Sequence, residues 1–253
     1  MERKTYKGRI SQKGFSAFSY KKISKSDLKG PVFSASGKND GVIGKEPKVF
    51  KVSSERSRRT DAVTGYCNIS NFKEILNRFS DRSSELTEYI NEFLVEMLKI
   101  IREEEGGMNK FCENGFYFFF PVRKTEITAE NKVVNTAFKM RSKMNKLNRK
   151  WGFFWDESWS IGIGISKGYI SIANYDDKLE RSQVLEDDTT NLSKYLSRYI
   201  SNGQIVINKK FYESHNFKDK DIVITPFRHL ALRETGRTIK IYEITGQKST
   251  YSR

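Results

Sequence analysis

The order of elements in the sequence predicts an α/β sandwich, with helices packed on a mostly antiparallel sheet around a ferredoxin-like βαββαβ core. Three observations carry this. A long helical repeat follows an early β-rich run, an Asn-Gly pair divides two strand-like stretches, and the same alternation of helix and strand then recurs to residue 247. The order is strand, long helix, hairpin, helix, hairpin, helix, strand, with no internal repeat.

The first strand is DAVTGYCNI at 61–69. The polar cluster SDRSSE at 80–85 then opens a helix. In it Leu86, Tyr89, Ile90, Phe93, Leu94, Met97, Leu98 and Ile101 recur at three-and-four spacing, and 103–107 end it. The stretch NKFCENGFYFFFPV at 109–122 follows. Asn114-Gly115 between two β-type runs predicts a hairpin whose type I′ turn is centred on that pair, because both central residues of such a turn need φ > 0. A third periodic stretch, 131–150, carries Val134, Ala137, Phe138, Met144 and Leu147 on one side and lysines elsewhere. WSIGIGISKGYISIANY at 159–175 reads as two strands around a tight Lys-Gly turn. TTNLSKYLSRYI at 189–200 reads as a helix, QIVI at 204–207 as a strand and IKIYEIT at 239–245 as the last strand. No element is assigned between 208 and 238.

The net charge of +15 suggests a polyanion partner until it is located. Residues 1–59 hold 16 Lys/Arg against 5 Asp/Glu, whereas the rest hold 30 against 26. The basicity is therefore an N-terminal arm, 1–57, rich in Ser, Gly and Lys and without a helical period. Tyr6, Phe15, Phe18 and Tyr20 lie among its charges, as in single-strand nucleic-acid binders, and equally as in a solubilising arm that packs a few rings on a neighbour. The domain proper is expected at 58–247, and 248–253 is a tail. No run of 18 apolar residues marks a membrane span, and the N-terminus lacks the apolar core of a secretory signal. Two cysteines, Cys67 and Cys112, are too few for a disulfide framework, which points to a reducing, cytoplasmic setting. His215 and His229 do not make a zinc-ligand set.

Five local signatures, in order, resemble the catalytic domain of the class III nucleotidyl (adenylate and guanylate) cyclases. The family's first strand ends in a Phe-Ala-Asp-Ile-type motif followed by Phe-Thr; here Tyr66-Cys67-Asn68-Ile69 precedes Asn71-Phe72. IIREEEGGMNKFCENG is similar to the family's long helix, Gly-Gly turn and Lys-Phe-x-Gly-Asp-Gly hairpin. GIGISKG at 162–168 is similar to its Gly-Ile-Gly-Ile-x-x-Gly hairpin, and Asp187-Asp188-Thr189-Thr190-Asn191-Leu192 to its Gly-Asp-x-Val-Asn-Leu helix start. QIVI with a following Phe-Tyr-Glu, and the closing IYEITG, complete the resemblance over 58–247.

The resemblance implies the chemistry. Cyclisation drives a ribose 3′-hydroxyl onto the α-phosphorus of a nucleoside triphosphate and expels pyrophosphate, assisted by two Mg or Mn ions held by carboxylates. The family's metal aspartates fall here on Asn68 and Asn114. An amide oxygen brings no charge, and two lost charges at a dication site cost several kcal/mol. Glu113 and Asp61 are the nearest acids in sequence, but strand alternation would point Glu113 away from Asn114. In the family the other half-site comes from a second subunit. Its hairpin Lys matches Lys110, its base-reading position Val184, its ribose-holding Asn Asn191, and its transition-state Arg position is Tyr195. Lys194 and Arg198 flank Tyr195, displaced by about 100° or most of a turn. Lys110 also fits a solvated strand lysine, and Asn191 also fits a helix N-cap.

The first expectation is thus a degenerate cyclase that acts as a dimerising, nucleotide-binding partner in cyclic-nucleotide signalling, with no metal cofactor. It would be a homodimer, or the supporting half of a heterodimer with a metal-bearing cyclase. The alternatives are an active divergent cyclase that takes a nucleoside triphosphate, including a pyrimidine one as in antiviral signalling, with Mg or Mn, and a polyanion or nucleic-acid binder that uses residues 1–57. None of the three involves a membrane.

Overall fold

The computed structural model describes residues 57–123, 127–173, 183–184, 187–214, 222–232 and 237–247. The arm and the tail expected from the sequence lie outside the described residues, except for residue 57.

β1 (Ser57–Ile69) leads through α1 (Phe72–Arg78) to α2 (Ser83–Glu103). β2 (Gly107–Cys112) and β3 (Gly115–Pro121) form the hairpin, and α3 (Ala129–Trp151) returns across the sheet. β4 (Ile161–Ala173), β5 (Gln183–Val184), α4 (Asp188–Ser197), β6 (Ile205–Asn208), α5 (Lys209–Ser214), β7 (Ile222–Leu232) and β8 (Arg237–Gln247) complete the chain. The sheet order is β2-β3-β1-β4-β6-β8-β7, with β5 beside β4, and the pairings are antiparallel except β4 with β6. This is the sandwich expected from the element order.

Alternation divides the sheet into two faces. Val63, Cys67 and Ile69 of β1, Phe116, Phe118 and Phe120 of β3, and Ile161, Ile163 and Ile165 of β4 join the main core beneath α2 and α3. The periodic residues of α2 lie in or against that core, with Ile100 buried where Leu98 is only partly so. Along their outer edges α2 and α3 are laced by ion pairs: Glu92 to Lys150, Glu96 to Lys143, Glu103 and Glu104 to Lys139, and Glu105 to Lys132. Salt bridges from Lys143 and Lys99 hold the Glu96 carboxyl below the usual range.

α4 packs on the opposite face. Its N-cap Asp187 accepts from Thr189 and Thr190 N–H and also from Ser171 N–H of β4, which fastens the helix to the sheet at 2.9, 3.0 and 3.1 Å. Gly164 permits the contact, since a Cβ there would lie 2.2 Å from the Ser193 carbonyl and 2.6 Å from the Ser197 nitrogen.

Four expectations are corrected. The Lys-Gly pair at 167–168 is not a turn, because β4 is one strand paired with β1 without a break from Ile69↔Ile161 to Ser57↔Ala173. The hairpin turn spans 112–115 and is centred on Glu113 and Asn114, with Cys112↔Gly115 paired and only Glu113 of the two at positive φ, 58°. Asn191 is not an N-cap, because Asp187 takes that place. The stretch without an assigned element holds α5 and β7, and His229 lies in β7.

Candidate functional site

The antiparallel pairing of β1 with β3 brings Asn68 and Asn114 together. Asn68 is opposite Gly115, Ile69 N–H donates to the Asn114 carbonyl at 2.8 Å, and Asn114 Nδ2 donates back to the Ile69 carbonyl at 3.3 Å. The two family metal positions therefore share one corner of the sheet. The close fit of this corner depends on Gly115, where a Cβ would sit 2.2 Å from the Cys67 carbonyl.

Asn68 points to the α4 face and is 5% exposed. Its Nδ2 donates to the Ser197 carbonyl in the last turn of α4, at 3.2 Å, while its Oδ1 is buried without a partner among the described residues. One helical turn earlier on α4, Lys194 reaches the same corner. Its ammonium pairs with Glu113 at 2.8 Å and stands 5.8 Å from the centroid of the Tyr66 ring. Arg198 approaches the other Glu113 oxygen at 3.6 Å. Burial, then the Glu113 carboxylate, pushes the Tyr66 hydroxyl far up, so it stays protonated and donates to the Cys112 carbonyl at 3.0 Å.

Glu113 corrects another expectation. It is a turn residue in the left-handed region, so strand alternation does not govern it, and its carboxylate turns toward α4. Its partners Lys194 and Arg198, discounted in the sequence because they flank the Arg position, meet at this turn. A three-residue spacing from Lys194 to Ser197 and the turn itself were the available signals. Asp61 lies seven residues up β1 from Asn68, roughly 23 Å at strand rise, and is no part of this corner.

This donor set does not fit a divalent cation. Two amides and one carboxylate claimed by two cations replace the two carboxylates that the chemistry requires, and an ammonium already stands at the corner. No group of three or more His, Cys, Asp or Glu could hold a metal among the described residues.

The positions that the resemblance assigns to a partner's half-site lie on α4, β2 and β5. Asn191 is exposed on α4, with no side-chain hydrogen bond among the described residues. Tyr195 is tied within the chain: its hydroxyl donates to the Ala231 carbonyl of β7 at 2.5 Å and accepts from Tyr199 at 3.0 Å. Arg228 of β7 donates to the Tyr199 carbonyl, so the β7–β8 hairpin is latched over α4, with Leu196, Ile200, Leu230 and Ile241 buried between them. The backbone of Lys110 lies where the β2–β3 register shifts, between Met108 and Phe111, and Val184 pairs with Ile172. Both side chains lie outside the described residues.

No family model and no curated protein sequence matches the chain. Solved structures do match its fold. The adenylyl cyclase CyaB from P. aeruginosa superposes with a TM-score of 0.63 at 23% identity, over 76% of this chain and 96% of that one. The guanylyl cyclase Cya2 gives 0.63 at 17% identity, over 78% and 97%. A non-canonical dimeric guanylyl cyclase domain of the RhoGC fusion protein from the aquatic fungus Blastocladiella emersonii gives 0.57 at 19%, over 76% and 99%. The chain has the fold of class III cyclase catalytic domains, and its sequence has diverged far from these structures.

Proposed function

We propose that this chain is a degenerate cyclase-homology protein that has given up metal-dependent cyclisation and acts as a dimerising partner in cyclic-nucleotide signalling. One observation carries the reading. Asn68, where the family has a metal-binding acid, spends its amide on the Ser197 carbonyl inside the chain, beside an ammonium held by Glu113. A carboxylate there would meet a carbonyl oxygen on one side and find its charge neutralised on the other.

Dimerisation draws support from the cyclase domain solved as a dimer. The exposed Asn191 is free to contact a nucleotide held by a second subunit, which suits the supporting half of a heterodimer. Tyr195 brings no guanidinium to that task and is engaged with β7. Val184 and Lys110 belong to the same half-site in this reading, as the base-reading and hairpin-lysine positions.

The test is cyclisation by the purified chain with manganese and each of the four nucleoside triphosphates, read by mass spectrometry. No cyclic product is expected, and product would overturn the proposal. An Asn68→Asp, Asn114→Asp variant should remain silent and gain little thermal stability from manganese. Adding Lys194→Met and Arg198→Met should increase the manganese-induced rise in melting temperature, because only then is the corner free of both competing cations. A monomer by light scattering at micromolar concentration would refute the homodimer.

A further inference from the structure

A cleft of about 890 Å³ opens on the α2/α3 side of the sheet, where β1 ends and β4 begins. Asn68 faces the other side, toward α4, so this cleft is separate from the half-site. Its volume lies within the range of small-molecule sites.

One wall is a stripe of α3. Arg141, Asn145 and Arg149 recur every four residues and line the cavity together. Their charges are placed differently from those on the edge facing α2, where Lys132, Lys139, Lys143 and Lys150 each meet a glutamate. Neither Arg141 nor Arg149 has a carboxylate partner among the described residues; Arg141 is instead steadied over the Phe138 ring at 5.0 Å. Two unneutralised guanidiniums on one wall suit the oxygens of a phosphate.

The facing segment, 153–160, is held rigidly by three side chains. Asn148 bonds both the carbonyl and the N–H of Trp159, at 2.9 and 2.8 Å. Asn71 bonds the Ser158 carbonyl and the Ser160 N–H, each at 2.9 Å. Arg78 donates to the carbonyls of Asp156 and Glu157, at 2.7 and 2.8 Å. A wall fixed in advance lowers the ordering cost of binding. This segment also carries an aromatic ring turned outward: Phe154 leaves 57% of its surface exposed at the cavity. Glu74 and Asp156 also line the cleft, which disfavours a bare polyanion and suits a ligand that brings hydroxyl or amino donors.

We infer that this cleft binds a nucleoside monophosphate. Its phosphate would meet Arg141 and Arg149, and its planar base the exposed ring of Phe154. The inference stands independently of the half-site reading.

Isothermal titration calorimetry of the full chain in EDTA tests it, with the four nucleoside 5′-monophosphates and inorganic phosphate as probes. At least one nucleotide should bind at submillimolar concentration, with inorganic phosphate about tenfold weaker or more. Arg149→Gln, at an exposed position, should weaken the nucleotide about tenfold while the melting temperature holds. Phe154→Ala should weaken the nucleotide and leave phosphate binding unchanged. The inference falls if no heat develops at millimolar nucleotide, if phosphate binds as tightly as the nucleotides, or if Asn191→Ala abolishes binding that Arg149→Gln leaves intact.

Discussion

Replacing Asn68 by aspartate restores the family's residue and changes one amide nitrogen to oxygen, so packing is untouched. The Asn68 Nδ2 bond to the Ser197 carbonyl, 3.2 Å long at a site 5% exposed, becomes an oxygen facing an oxygen. Stranding that carbonyl costs about 1–3 kcal/mol. Desolvating the new charge costs several kcal/mol more. The Lys194 ammonium, which reaches this corner to pair with Glu113, offsets only part of that cost. The balance is a loss of roughly 2 kcal/mol, or about 4–8 °C in melting temperature for a domain of this size.

The pH dependence makes the test sharper. Burial without a donor raises the folded-state pKa of the introduced carboxyl above its unfolded value. Between those two values the native state binds the extra proton, so stability falls as pH rises. Below the unfolded value, near pH 4, the introduced carboxyl is protonated and its hydroxyl donates to the Ser197 carbonyl as the amide did, so the penalty vanishes. Urea denaturation of both proteins from pH 4 to 8 should show a difference that is largest at pH 7–8 and shrinks on acidification. A variant as stable as its parent at pH 7.5, or a difference independent of pH, would refute the account of Asn68 as a strut.

Three further outcomes are expected. Tyr195→Phe removes the hydroxyl that links Tyr199 to the Ala231 carbonyl, which should cost about 1 kcal/mol and speed amide exchange in β7 several-fold; unchanged exchange in β7 would show that the latch is not closed in solution. Gly164→Ala forces a methyl into the α4 backbone and should cost about 1–3 kcal/mol or more, read as a lower urea midpoint, whereas a neutral result would mean that α4 lies farther from β4. Glu96→Gln should destabilise the chain at pH 7, because a depressed carboxyl pKa stabilises the fold above its unfolded value near 4.3 and loses that effect as pH falls through the folded value. The two proteins should therefore converge in denaturation midpoint near pH 3, and a gap that persists there would refute the ion-pair account.

By itself the sequence determined the two long helices, because their apolar spacing admits one buried face, and it determined where the aromatic hairpin falls. It also established that amides, not acids, stand at 68 and 114, where the resemblance would place metal ligands, a matter of residue identity alone. Tertiary structure decided what the local signals left ambiguous. Lys167-Gly168 has the chemistry of a turn, yet Gly168 is small because Thr189 of α4 packs on it, where a Cβ would meet Thr189 Oγ1 at 2.5 Å. Asn114-Gly115 marks a hairpin, yet the turn forms one residue earlier, because Gly115 is needed against the Cys67 carbonyl. Glycine serves turning and close approach equally well, and only the neighbouring backbone distinguishes the two. The corner of Asn68, Glu113 and Lys194 was beyond the sequence for the same reason. It joins β1, the hairpin turn and α4, segments 45 and 81 residues apart, and no local spacing encodes which carbonyl an amide meets after folding.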